Sequence, residues 1–189
     1  PLALGLKETD MNLVEAAANI GTATRNVATA SGRIAELVRS LRSYARPEND
    51  ATDLIDVRET LDETLAMLSH RLSGIEVIKD YHEVPPVPAR PSQLGQVWTN
   101  LLVNAADVLD PGTGVITITT SLTSDDAVRV EIIDNGPGIS EDIRERIFEP
   151  RFTTKQGTVR YGMGLGLALT RTLIDSHGGT ISVDSQPGR

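Results

Sequence analysis

Asn100-Leu101-Leu102-Val103-Asn104-Ala105-Ala106-Asp107 sets two amides and a carboxylate at spacings of four and three residues. At about 100° per residue these three side chains share one face of a helix. Leu94, Val97, Trp98, Leu101, Leu102 and Ala105 gather away from it. A helix that buries the apolar stripe and presents the amides offers oxygen ligands to a hard cation such as Mg²⁺. An ordinary solvated helix face has the same spacing, so the stretch needs its surroundings to be read.

Upstream, Pro85 to Pro91 holds four prolines and is predicted to be an extended connection, with the helix starting near Ser92 and running to about Leu109. Earlier still, Asp56 with Glu59 reads as a capping box, Leu61, Leu65, Leu68 and Leu72 give one apolar stripe, and Ile75 to Lys79 alternates like a strand. Downstream, Val115–Leu122 and Val128–Asp134 are rich in Val, Ile and Thr around Thr123 to Asp126, the pattern of an antiparallel hairpin. Ser140 is placed to cap a further helix. Leu165 to His177 is apolar and helical, stopped by Gly178 and Gly179, after which Ile181 and Val183 begin a strand. Mixed elements in this order predict an α+β fold, a two-layer α/β sandwich with helices on one face of a mainly antiparallel sheet.

Two glycine turns interrupt these elements. Asp134-Asn135-Gly136-Pro137-Gly138 closes a strand, permits positive φ and close backbone approach, and leaves a carboxylate able to accept from an adenine amino group. A plain hairpin or strand-to-helix turn has the same composition. Gly162-Met163-Gly164-Leu165-Gly166-Leu167 opens a helix, where unpaired N–H groups and the positive dipole end favour polyphosphate. It lacks the Gly-Lys-Ser/Thr of a Walker A loop and does not follow a strand as a dinucleotide fingerprint would. Between the turns, Phe148-Glu149-Pro150-Arg151-Phe152-Thr153-Thr154-Lys155 leads into polar residues up to Arg160, a composition suited either to a mobile flap with basic side chains or to a solvated loop. Both phenylalanines of the chain lie there, which predicts that they anchor the segment to the core.

N-terminal to all this, Leu2, Leu6, Thr9, Leu13, Ala16 and Ile20 step by four and three residues. Val27, Ala30, Ile34, Leu37, Leu41 and Tyr44 repeat the step after a break near Gly21, which predicts an antiparallel helical hairpin. The expected division is 1–47 hairpin, 48–53 linker and 54–189 the mixed domain.

Composition narrows the function. A net charge of −8 over 189 residues argues against a nucleic-acid partner, which would call for clustered Lys and Arg. The absence of cysteine excludes disulfides and thiolate metal sites, and His70, His82 and His177 lack ligand spacing. Neither a membrane-spanning stretch nor a signal peptide is present, so any membrane attachment is expected through parts outside these residues, and the location is expected to be cytoplasmic.

Taken in order, Asn100 to Ala105, Asp134 to Gly138, Phe148 to Lys155 and Gly162 to Leu167 resemble the N, G1, F and G2 boxes of sensor histidine kinases. The resemblance covers about Leu54 to Arg189 and implies the Bergerat ATP-binding fold shared with gyrase, chaperone and mismatch-repair ATPases, with its final strand missing. It implies ATP and Mg²⁺ as cofactors. By it Asn104 coordinates Mg²⁺ with Asn100 beside it, Asp134 reads adenine, and Gly136, Gly138, Gly162, Gly164 and Gly166 shape the pocket. Asp107, Ile139, Phe148, Thr154, Lys155, Arg160, Met163, Leu165 and Leu167 complete the nucleotide-binding set. Arg33 to Pro47 resembles the second helix of the dimerisation and phosphotransfer hairpin, and Pro1-Leu2 the tail of the H box, which implies a phosphoacceptor histidine upstream and a homodimer through the hairpin. The implied activity is a protein-histidine kinase that relays phosphate to a receiver-domain aspartate of a response regulator. The alternatives are an ATP-driven clamp of the gyrase type and a non-catalytic ATP-binding dimerisation module.

Overall fold

The computed structural model describes residues 16, 17, 19–24, 27, 51–150, 152 and 164–187. Among the described residues, five strands run in chain order as β1 (Asp53–Ile55), β2 (Glu76–Tyr81), β3 (Val87–Ala89), β4 (Val115–Leu122) and β5 (Val128–Asp134). Among them lie the helices α1 (Val57–Met67), α2 (Pro91–Val108), α3 (Glu141–Arg144) and α4 (Gly166–Ser176), with a single 3₁₀ turn at Arg146–Phe148.

Alternation builds the sheet. In β4 Ile116, Ile118 and Thr120 are buried while the residues between them are half-buried, so one face of the pleat packs inward and the other stays open. On the inner face α1 contributes Val57, Leu61 and Leu65, α2 contributes Leu94, Val97, Trp98, Leu102 and Ala105, and α4 contributes Leu169 and Leu173 to one core with Ile116 and Ile118. Helices on one face of a sheet is the predicted two-layer arrangement. Inside that core the Trp98 indole donates to Thr60 Oγ1 at 3.0 Å, and the Thr60 hydroxyl donates to Val57 O at 2.9 Å, so the one polar handle of the tryptophan is satisfied where α1 crosses α2.

Several details depart from the sequence expectations. The sheet is mixed: β4 pairs antiparallel with β5, as Val128–Asp134 predicted, but β2 pairs parallel with β4, Glu76 opposite Val115 and Tyr81 opposite Thr120. Such a pairing requires the long crossover that β3 and α2 supply. Within the proline-rich connection, Val87–Ala89 forms a short antiparallel ladder with β1, Pro88 opposite Leu54. An edge strand tolerates the missing proline donor. Ile181 and Val183 lie in no strand of the described residues, although 181–185 still alternate half-buried and exposed. Alternation needs only a surface on one side, whereas a ladder also needs a backbone partner. Gly21, expected at a break, sits within helical residues 19–24, where Thr24 Oγ1 donates to Ile20 O at 2.8 Å. One glycine costs a helix about 1 kcal/mol, which weakens it without ending it. The rest of the predicted hairpin falls outside the described residues.

Helix ends follow their capping chemistry. Pro91 occupies the first position of α2, where its missing N–H costs nothing. Asp56 caps α1 by accepting from Arg58 N at 2.9 Å, and its carboxylate is taken by the Arg58 guanidinium at 2.6 Å, where a capping box would have brought Glu59 back onto the cap. That guanidinium holds the Asp56 carboxyl below the usual carboxylate range. Ser140 stands at the cap of α3 as expected, through its backbone, whose carbonyl accepts from Arg144 N at 3.1 Å.

Candidate functional site

The polar face of α2 meets the start of α4. Asn100, half-buried, donates from Nδ2 to Gly166 O at 3.2 Å and to Thr170 Oγ1 at 3.3 Å. Gly166 is close enough that a Cβ there would lie 3.8 Å from the Asn100 side-chain carbon. One turn further along α2, Asn104 is half-buried as well, and among the described residues its amide has no hydrogen-bond partner. The amide atoms are not fully shut off from water, so solvent or a ligand can satisfy them.

Asp107 continues the row at the end of α2, and its nearly buried carboxylate is paired with Arg71 from the turn after α1. Arg71 lies in no motif, and no sequence signal marked it. At the end of β5 the Asp134 carboxylate is exposed and accepts from Gly136 N at 2.9 Å, the small loop an Asp-Asn-Gly turn makes. Asn135 pins this turn to the neighbouring strand: its Oδ1 accepts from Val115 N at 2.7 Å and its Nδ2 donates to Thr113 O at 2.9 Å. Gly136 has room for no side chain, since a Cβ would stand 3.0 Å from Val108 Cγ2, the last residue of α2. The turn is thereby seated against the C-terminal end of the helix that carries Asn104. Gly138 has φ of +75°, and Ile139 N donates to Ser185 Oγ at 2.9 Å, which ties the other side of the turn to the segment after α4.

The entrance to α4 has the character its glycines predict. Gly164 has φ of +65°, Leu165 at the N-cap offers no side-chain acceptor, and the first turn of Gly166 and Leu167 is half-buried. The first N–H groups of such a helix end have no partner within the helix itself, which suits an anion. At the other end, His177 accepts from Arg90 N at 3.1 Å through Nε2, while Nδ1 bonds Leu173 O at 2.7 Å. This histidine is the helix-end residue its Gly-Gly sequel suggested, and it also ties the end of α4 to the cap of α2.

Phe148 and Phe152 are half-buried rather than sunk in the core. Arg171 of α4 lies 5.3 Å over the first ring and Arg146 4.6 Å over the second. The segment is held by guanidinium–ring stacking. Thr154, Lys155, Arg160, Gly162 and Met163 fall outside the described residues.

As donors, the two amide oxygens suit Mg²⁺, which takes few protein ligands and completes its shell from phosphates and water. Among the described residues no cluster of three or more His, Cys, Asp or Glu side chains is placed to hold a metal ion.

Residues 89–189 match the family described as histidine kinase-, DNA gyrase B-, and HSP90-like ATPase. The chain is 33% identical over 160 residues to the sensor histidine kinase ZraS of Escherichia coli, covering 83% of this chain and 33% of ZraS. It spans between 18% and 46% of the length of these and other curated relatives that it matches. Full-length ShkA, solved in complex with AMPPNP, superposes with a TM-score of 0.68 at 25% identity, over 97% of this chain and 37% of that one. Histidine kinase ThkA in complex with response regulator protein TrrA gives 0.63 at 25% identity, over 81% of this chain and 43% of that one. Among the described residues no helix is long and apolar enough to cross a membrane.

Proposed function

Since the chain belongs to the family of histidine kinase-, DNA gyrase B-, and HSP90-like ATPases, we propose that it binds Mg-ATP between α2 and α4 as the catalytic region of a sensor histidine kinase. The observation that carries this is the joining of α2 to α4 by Asn100, beside the half-buried Asn104 and the glycine entrance of a helix whose N-cap makes no side-chain hydrogen bond among the described residues. The likeness to ZraS and to the ShkA complex with AMPPNP supports it.

In this reading Asn104, with Asn100 beside it, holds Mg²⁺, and the first turn of α4 with Gly162 and Gly164 receives the phosphates. Asp134 takes the adenine amino group against a turn shaped by Gly136, Gly138 and Ile139. Met163, Leu165, Leu167 and Phe148 wall the nucleotide, Thr154, Lys155 and Arg160 reach its phosphates, and Asp107 steadies the end of α2. Magnesium, when bound, neutralises charge on the transferring γ-phosphoryl group. Phosphoryl transfer asks a protein mainly for positioning and electrostatics, and those are what this arrangement supplies.

The acceptor in this reading is a histidine of the dimerisation hairpin of which residues 1–47 form a part; 48–53 link that part to the ATP-binding domain. Phosphate then passes to a receiver-domain aspartate, a partner supported by the ThkA complex with TrrA. The enzyme works in the cytoplasm.

Nucleotide at 100 times its dissociation constant should stabilise the 189-residue chain by about 2.7 kcal/mol, a rise of several degrees in Tm. A longer chain carrying the preceding sequence should acquire acid-labile phosphate from γ-labelled ATP. Unchanged melting with millimolar Mg-ATP sinks the binding site, and steady ATP hydrolysis without phosphohistidine would instead mark a clamp ATPase.

A further inference from the structure

We propose that Thr170 is a positioning residue for the nucleotide site: its hydroxyl fixes which end of the Asn100 amide faces the ligand. The inference rests on the reading of α2 and α4 as that site. Thr170 lies in the second turn of α4 and is fully buried, 0% exposed. A buried hydroxyl in an apolar helix has two ordinary solutions, bonding back to the carbonyl four residues earlier or reaching a neighbouring element. Thr170 does both, donating from Oγ1 to Gly166 O at 2.9 Å and meeting Asn100 Nδ2 at 3.3 Å.

Proton bookkeeping decides the orientation. The single hydroxyl proton is spent on Gly166 O, so toward Asn100 the Thr170 oxygen has only lone pairs. The second atom facing Asn100, Gly166 O at 3.2 Å, is also an acceptor. Two acceptors demand the NH₂ end of the amide, and turning the amide over would set its carbonyl oxygen against two others. Oδ1 is therefore directed away from α4, free to act as a ligand oxygen, while the first turn of α4 is fastened to α2. In an aliphatic residue at position 170 half of that demand disappears. The side chain touches neither nucleotide nor metal in this scheme and acts through Asn100 alone.

The test compares Thr170→Val, of nearly the same shape, with Thr170→Ser, which keeps the hydroxyl. Affinity of the 189-residue chain for AMPPNP is measured calorimetrically with Mg²⁺ and with EDTA, alongside Tm without nucleotide. Thr170→Val should lose about threefold to tenfold in affinity with Mg²⁺ and less than twofold in EDTA, the worth of one amide hydrogen bond. Thr170→Ser should stay within about twofold of the parent in both. A merely structural threonine would change Tm and leave the ratio between the two conditions where it was, and that result overturns the proposal. Should Thr170→Val not fold, the Asn100 side-chain amide protons of the parent decide. Slowed exchange with solvent supports the clamp, and free exchange refutes it. Absence of AMPPNP binding by the parent would instead count against the site itself.

Discussion

Asn104→Ala should abolish magnesium-dependent nucleotide binding while leaving the empty protein as stable as before, or slightly more so. The two effects have opposite signs because one arises in the empty protein and the other only in the nucleotide complex. Without ligand, the half-buried Asn104 amide has no hydrogen-bond partner among the described residues, so truncation breaks no bond among them. Alanine is the better helix former, by up to about 0.7 kcal/mol, and position 104 is interior to an 18-residue helix. Tm of the free protein should therefore hold or rise by one or two degrees. With ligand, loss of a direct metal contact should cost at least the 10- to 100-fold that second-shell changes cost in metal affinity. The stabilisation by Mg-ATP should fall accordingly, while the smaller shift seen in EDTA persists. A calorimetric affinity within twofold of the parent in the presence of Mg²⁺ would show that Asn104 is no ligand. The contrast with Thr170→Val is one of size: the threonine variant weakens the same dependence, the asparagine variant removes it.

Why the helix carrying Asn100, Asn104 and Asp107 was legible, and the contact of Asn100 with Thr170 was not, is a matter of range. The spacing of Asn100, Asn104 and Asp107 is local, and helical geometry converts it to a shared face without knowledge of the rest of the chain. The β4–β5 hairpin was legible for the same reason, its two strands being joined by a short turn that fixes the register of Leu122 on Val128. Partners distant in sequence leave no such trace. The parallel ladder of β2 on β4, the pairing of Val87–Ala89 with Asp53–Ile55, and Arg71 on Asp107 each join segments whose local composition would permit other partners. Thr170 belongs with these: read along α4 it is one polar residue in an apolar run, and only the arrival of Asn100 from 70 residues away gives its hydroxyl a second bond. Gly21 erred in the opposite direction, since a glycine breaks a helix only when the helix is too weak to carry its cost.

Gly138→Ala should be among the most damaging single substitutions in the described chain, and Gly95→Ala should be mildly beneficial, although both add one methyl to a glycine. At Gly138 the backbone sits at φ of +75°, where an L-residue with a Cβ loses about 1–2 kcal/mol. The new Cβ would also stand 2.1 Å from Gln186 O and 2.8 Å from Gln186 C, both backbone atoms, so no side-chain rotation relieves the overlap. Either the Asp134–Gly138 turn or the segment through Gln186 must move, and Ile139 N with Ser185 Oγ, bonded at 2.9 Å, couples the two. A total of about 3 kcal/mol or more lowers Tm by roughly 6–12 °C for a chain of this size. Because the same turn carries Asp134 and rests Gly136 on Val108, nucleotide affinity should fall with it. Gly95 lies inside α2 with nothing within 4 Å of its would-be Cβ, so alanine there gains about 0.5–1 kcal/mol of helix propensity. Parallel melts of the two variants separate a conformational requirement at 138 from general tolerance of methyl groups. Equal Tm values would mean that the turn after β5 is free to adopt another path, and that the proposed adenine contact at Asp134 is not held by the backbone as described.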